Sequence, residues 1–173
     1  MNTIYSKSIG RLGNIFYKVV IGKYLAKKHN MNYKLVWNNN TLYDKEKQDY
    51  FIYFPCIDKN DLVYSVPKNI NVQKEIYSTK YEELNINDSD IFLEGYMQCP
   101  KYWDNDKKFA QELLRPSKEL IKEINELYDI KFNEYVSINV RRGDYLKPCY
   151  DNIVVNHDAD YYKHIMNSLY RKS

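Results

Sequence analysis

Glu134-Tyr135-Val136-Ser137-Ile138-Asn139-Val140-Arg141-Arg142-Gly143-Asp144-Tyr145 is the stretch from which the fold is read. Its first half alternates. Val136, Ile138 and Val140 fall on one face and Tyr135, Ser137 and Asn139 on the other, the period of a β-strand. Alternation stops at two arginines, a glycine and an aspartate. Open α/β sheets bind ligands just beyond the carboxyl ends of their strands. Two adjacent guanidiniums there suit a phosphate or diphosphate, through charge-assisted and often bidentate bonds. Asp144 is suited to hold one guanidinium in orientation without cancelling the pair. The same residues also fit a solvated, ion-paired loop. Arg142-Gly143-Asp144 spells the cell-adhesion tripeptide as well, a triplet short enough to arise by chance.

Working outward, the amino-terminal end offers a second strand-to-helix junction. Residues 2–6 read as a short strand, followed by Gly10-Arg11-Leu12-Gly13-Asn14. Two glycines there permit a tight backbone path close to a ligand, and Asn14 suits the N-cap of a helix. A helix start is also where anions bind. The helix is predicted to run to Lys28 with a broad apolar face of Ile15, Phe16, Val19, Val20, Ile21, Tyr24 and Leu25, ended by Asn30. Tyr33–Trp37 is the next strand, so strand, helix and strand form a parallel pair with a right-handed crossover. Tyr50–Phe54 fits a strand or a helical turn. Leu62–Val66 and Val72–Ile76 read as weak strands, and 81–84 as one helical turn.

Ile91–Tyr96 is a buried strand whose end carries Glu94, Tyr96 and Gln98. Ordinary strand-end hydrogen bonding and ligand binding both fit those three. Helices follow over Asn105–Leu114 and Ser117–Asp129, split by Pro116, the second capped by Ser117. Its stripe of Leu120, Ile121, Ile124, Leu127 and Tyr128 reads as core. Asp158 suits the cap of a last helix to about Tyr170, with Tyr162, Ile165, Met166 and Leu169 inward.

A chain of 173 residues holds one ordinary domain, or one domain and the start of another. At 44% hydrophobic and 16% aromatic it can build a core. The net charge of +3 comes with no basic patch interleaved with aromatics, so nucleic acid is not expected as a partner. Cys56, Cys99 and Cys149 are odd in number and lack metal-ligand spacing, which fits free thiols in a reducing compartment. His29, His157 and His164 make no zinc pattern. No apolar run approaches the roughly 20 residues of a spanning helix, and no signal-peptide core is evident. A cytoplasmic location, or a peripheral one on a membrane face, is expected.

The arginine string resembles the His-x-Arg-Arg-Gly-Asp-Tyr motif of the α-1,2-fucosyltransferases. Three further strings support the resemblance. Gly10–Tyr17 with Gly22–Lys28 is similar to that family's amino-terminal glycine block and the helix after it. Leu93–Gln98 with Lys101-Tyr102-Trp103 is similar to its Gly-Tyr-x-Gln segment. Asp160-Tyr161-Tyr162-Lys163 resembles the start of the helix after the arginines. The strings keep the family's order across nearly the whole chain. Asn139 stands where the motif has histidine, and Ile15 where the first block has glutamine. A Ser-Ser-Phe-Ser-Trp-Trp-like motif, carried by the family's carboxyl-terminal portion, is not found.

The resemblance implies an α/β fold: a Rossmann-like parallel sheet within a two-domain, GT-B-like glycosyltransferase. Residues 1–130 would be the acceptor-side domain, and 131–173 the incomplete start of the sugar-nucleotide domain. It implies metal-independent, inverting transfer of fucose from GDP-fucose to a galactose-containing glycan, with no cofactor. Arg141 would take the diphosphate and Asp144 would orient it. Arg142, Tyr145 and Asn139 would contact substrate. Asn14 and Arg11 would approach from the opposite domain, and Gln98 would lie at the acceptor cleft. Two other readings remain: a truncated or split fragment that needs a second chain, and a sugar-nucleotide or glycan-binding module without turnover.

Overall fold

The computed structural model describes residues 1–37, 51–76, 80–103, 106–128 and 159–170. The chain divides into two compact units, Met1–Asp129 and Ile130–Ser173. The first is α/β and holds a five-stranded, all-parallel sheet in the order β3-β2-β1-β5-β4. Its strands are β1 (Thr3–Lys7), β2 (Asn32–Val36), β3 (Leu62–Val63), β4 (Asn71–Lys74) and β5 (Ile91–Glu94). Helix α1 (Leu12–His29) links β1 to β2, as the strand–helix–strand reading predicts. Strands β2 and β3 lie to one side of β1, and β5 and β4 to the other, so the sheet changes direction between β1 and β5.

Burial explains why α1 lies where it does. In β1 the side chains of Ile4 and Ser6 are fully buried, while Thr3, Tyr5 and Lys7 are half-buried. Strand β5 repeats the alternation with Ile91 and Leu93. Helix α1 covers this face and is apolar around much of its circumference. Ile21 and Leu25 pack with Ile4, Ile91 and Leu93, and Ile15, Val19 and Ala26 with Tyr33, Leu35 and Trp37. The helix sits very close to the sheet at Gly22, where a Cβ would enter the ring of Tyr33. That ring cannot step aside, because it is buried and its hydroxyl shares a 2.8 Å hydrogen bond with the Ser6 hydroxyl.

The ends of α1 follow different rules. Asn30 ends it in the left-handed conformation at φ 52°, as expected, and Lys27, Lys28 and His29 fill the last turn. The expected N-cap is corrected. The helix starts at Leu12, Arg11 occupies the cap position without a side-chain bond, and Asn14 lies inside the first turn. The side chain of Asn14 is engaged by Gln98 instead.

Two further helices complete this unit. Helix α2 (Lys107–Leu113) is capped by Asp106, whose carboxylate accepts the Phe109 N–H at 3.0 Å and pairs with Lys27 at 3.1 Å. Helix α3 (Lys118–Leu127) is capped by Ser117, as expected. Its stripe is not core. Leu120 and Ile124 are half-buried, and Ile121, Leu127 and Tyr128 are exposed. An amphipathic pattern says which side is apolar and not whether a neighbour covers it. Residues 51–53 are helical, which settles the ambiguous apolar run.

The expected turn at 81–84 does not form: the Asn85 N–H that would close it donates to Gln73 at 3.0 Å, and the Glu82 N–H donates to the Tyr102 hydroxyl at 3.3 Å. Cys56 and Cys99 are buried free thiols, and burial pushes the Cys56 thiol up to about 11.

Of the second unit, helix α4 (Ala159–Tyr170) is described. Tyr162 and Ile165 are half-buried, whereas Met166 is exposed, contrary to expectation. The expected strand 134–140, the cap Asp158 and the side chain of Leu169 lie outside the described residues. Among the described residues no helix is long and apolar enough to cross a membrane.

Gly22 provides a direct test of the helix–sheet contact. Gly22→Ala would raise helix propensity but overpack the Tyr33 ring, so a net loss of about 1–3 kcal/mol is expected. Urea denaturation of the two proteins measures it; an unchanged or higher midpoint would contradict the packing described.

Candidate functional site

The carboxyl edge of the sheet, at the change of direction between β1 and β5, is the place where this architecture offers a site. The backbone there is unusual at two glycines. Gly10, just after β1, has φ +78°, and an added Cβ would run into the Asn14 amide. Gly95, just after β5, has φ +124°, and an added Cβ would lie 2.5 Å from the Cβ of Glu75. Both turns therefore require glycine for conformation and for space.

The two turns meet through side chains. Gln98 Nε2 donates to Asn14 Oδ1 at 2.7 Å, joining residues 84 positions apart. Asn14 is fixed by this bond and by the Gly10 turn that lies against its amide. It thus ties the first turn of α1 to the segment after β5, in place of capping the helix. Arg11 is exposed beside it at the start of α1. Its carbonyl accepts the Ile15 N–H at 3.2 Å.

Beneath this joint lies a carboxylate the sequence did not single out. Glu75 continues β4 and donates its N–H to the Glu94 carbonyl at 2.9 Å. Its Oε2 accepts the backbone N–H groups of Tyr96 at 2.6 Å and Met97 at 2.7 Å. Met97 is fully buried and left-handed at φ 54°, which costs roughly 1–2 kcal/mol for a residue with a Cβ. Two bonds to a charged acceptor offset that cost. Glu75 thereby fixes the path that delivers Gln98 to Asn14. Glu75→Ala is expected to raise hydrogen exchange at the Tyr96 and Met97 amides by roughly tenfold or more, with Ile4 and Ile21 unaffected. Unchanged protection at both amides would remove Glu75 from this role.

Lys18 is the second residue missed. Its side chain is fully buried, and neither its Nζ nor the Oε1 of Glu75 has a hydrogen-bond partner among the described residues. Burial lowers its pKa from 10.5 to about 8, although the carboxylates of Glu75 and Glu94 pull it upward. A signal was present: Lys18 falls within the apolar face of α1, three residues after Ile15 and three before Ile21. Glu75 gave none, because its partners are distant in the chain.

The buried amine makes stability depend on pH. Between about pH 8 and 10.5 the unfolded chain holds a proton that the folded one has released. Stability contributed by this group therefore rises with pH across that window and is lowest, and flat, below it. The difference in unfolding free energy between the native protein and Lys18→Met should change by a few kcal/mol between pH 7.5 and 10.5. A pH-independent difference would show that Lys18 keeps its ordinary affinity for protons.

Of the residues expected to form the site, the structure thus brings Asn14 and Gln98 together, with Arg11 three residues before Asn14 at the start of α1. Asn139, Arg141, Arg142, Asp144 and Tyr145 lie outside the described residues. No family model, no curated protein and no solved structure matches the chain.

Proposed function

We propose that the chain is the amino-terminal, acceptor-side portion of a two-domain, GT-B-like α-1,2-fucosyltransferase, with the beginning of its sugar-nucleotide domain. The reading rests on the sequence resemblance. The observation that supports it is the 2.7 Å contact between Gln98 and Asn14. Those residues come from two separate strings of the resemblance, and they meet at the sheet edge where α/β folds bind ligands.

The chemistry follows from charge. Breaking the fucosyl bond of GDP-fucose leaves negative charge on the diphosphate and positive charge on the sugar. Arg141 is the residue proposed to stabilise the leaving diphosphate, with Asp144 orienting its guanidinium. Arg142, Tyr145 and Asn139 are proposed contacts to the nucleotide. Asn14, Gln98 and Arg11 are proposed as the polar surface that meets substrate from the amino-terminal unit. No metal is assigned a role. The galactose-containing acceptor belongs to the same proposal.

Asn139 favours one alternative. It can hydrogen-bond but cannot titrate near neutrality as histidine does, which suits binding of the sugar nucleotide without turnover.

Two measurements separate these readings. Calorimetry with GDP should show binding, and Arg141→Ala should weaken it. Radiolabelled GDP-fucose with a galactoside acceptor should yield labelled product, and Arg141→Ala should reduce the rate on the order of a hundred- to thousand-fold. GDP binding without product would favour the binding module. No GDP binding at all would overturn both and favour the non-catalytic fragment.

A further inference from the structure

A second cleft lies at the other end of α1. Helix α1 leaves the carboxyl edge after β1, so its last turns lie at the amino edge of the sheet. There, two cavities of about 610 and 370 Å3 adjoin, sharing His29 and Ile86 in their walls. One wall is formed by the end of α1 and the other by residues 81–88, with Lys101 and Tyr102 closing the larger cavity. Together they make one groove along the end of α1.

Its chemistry is specific. Tyr81 is half-exposed, its ring tilted at 51° against buried Tyr102 with 5.1 Å between centroids, so Tyr102 holds the Tyr81 ring while part of it stays accessible. The Tyr102 hydroxyl is occupied by the Glu82 N–H, which fixes that backing ring. Around the platform, the ammonium groups of Lys28 and Lys101 and the side-chain amide of Asn85 have no partner among the described residues. Among the described residues, the larger cavity carries one carboxylate, Glu83, and the smaller carries another, Asp88. An open ring face packs the C–H side of a pyranose. A free amide takes its hydroxyls, and unpaired ammonium groups take a carboxylate substituent. Adjoining cavities with a shared wall give room for consecutive sugar units.

We propose that this groove binds an acidic oligosaccharide, with a sugar ring on Tyr81 and a carboxylate between Lys28 and Lys101. The site is lined by side chains other than Asn14 and Gln98 and does not depend on the transferase reading.

The test is calorimetry on the full chain with four probes: a hyaluronan tetrasaccharide, tetragalacturonate, neutral chitotetraose and tetraglutamate. At least one acidic sugar should bind, weakening as salt is raised. Chitotetraose and tetraglutamate should bind about tenfold more weakly or not at all. Tyr81→Ala and Lys101→Ala should each weaken the acidic sugar by about tenfold. Both side chains are exposed, and near-ultraviolet circular dichroism verifies that the variants stay folded. Saturating GDP should leave the affinity unchanged, so failure of the transferase reading and failure of this one are distinguishable. Absence of binding by both acidic sugars overturns the proposal. So does equal binding of either control, or an affinity indifferent to both substitutions.

Discussion

Everything in the amino-terminal unit depends on β1 being paired on both sides. Its backbone carries parallel ladders to β2 and β5 at once, from Thr3↔Asn32 to Lys7↔Val36 and from Ile4↔Ile91 to Ser6↔Leu93. Parallel pairing demands a crossover, and α1 supplies the one to β2. The same crossover places the start of α1 at the carboxyl edge and its end at the amino edge. The sheet's two sides diverge from β1, so the crevice between the β1 and β5 turns is a consequence of strand order.

That crevice is held by polar contacts that cost something to arrange. Gly10 and Gly95 accept backbone conformations other residues resist, and Met97 is held in one without being glycine. Lys18 Nζ and Glu75 Oε1, buried with no hydrogen-bond partner among the described residues, are costly to take out of water. A fold selected for stability alone would fill such positions with apolar side chains. Their concentration at the carboxyl edge fits a polar site built into the sheet, whatever ligand it serves. The groove along the last turns of α1 differs in kind. Its tyrosine and lysines stand at the surface, where their polar groups meet water.

Much of the scaffold was legible because it depends on local pattern. The 3.6-residue apolar rhythm of α1, the left-handed Asn30 and the serine cap of α3 all follow from neighbouring residues. Element positions were read to within a few residues for β1, β2 and β5. Misreadings arose where distant groups intervened. Asn14 fits a cap by type, but Gln98 claims its side chain from 84 residues away. Residues 81–84 resemble a helical turn until Tyr102 and Gln73 take the nearby N–H groups. The stripe on α3 is apolar as read, yet periodicity cannot say how much of it becomes buried.

The amino-acid sequence by itself determined the α/β class, the parallel pairing of β1 with β2, and the residue types that gather at strand ends, since all three follow from short-range periodicity and turn chemistry. Tertiary structure alone decided that Gln98 meets Asn14, that Glu75 grips the turn after β5, and that Lys18 loses its water. Those contacts join segments between 21 and 84 residues apart in the chain, or depend on the enclosure they create. No local pattern encodes them, because a side chain's partner across a sheet is set by strand order, and strand order is a property of the whole packed unit.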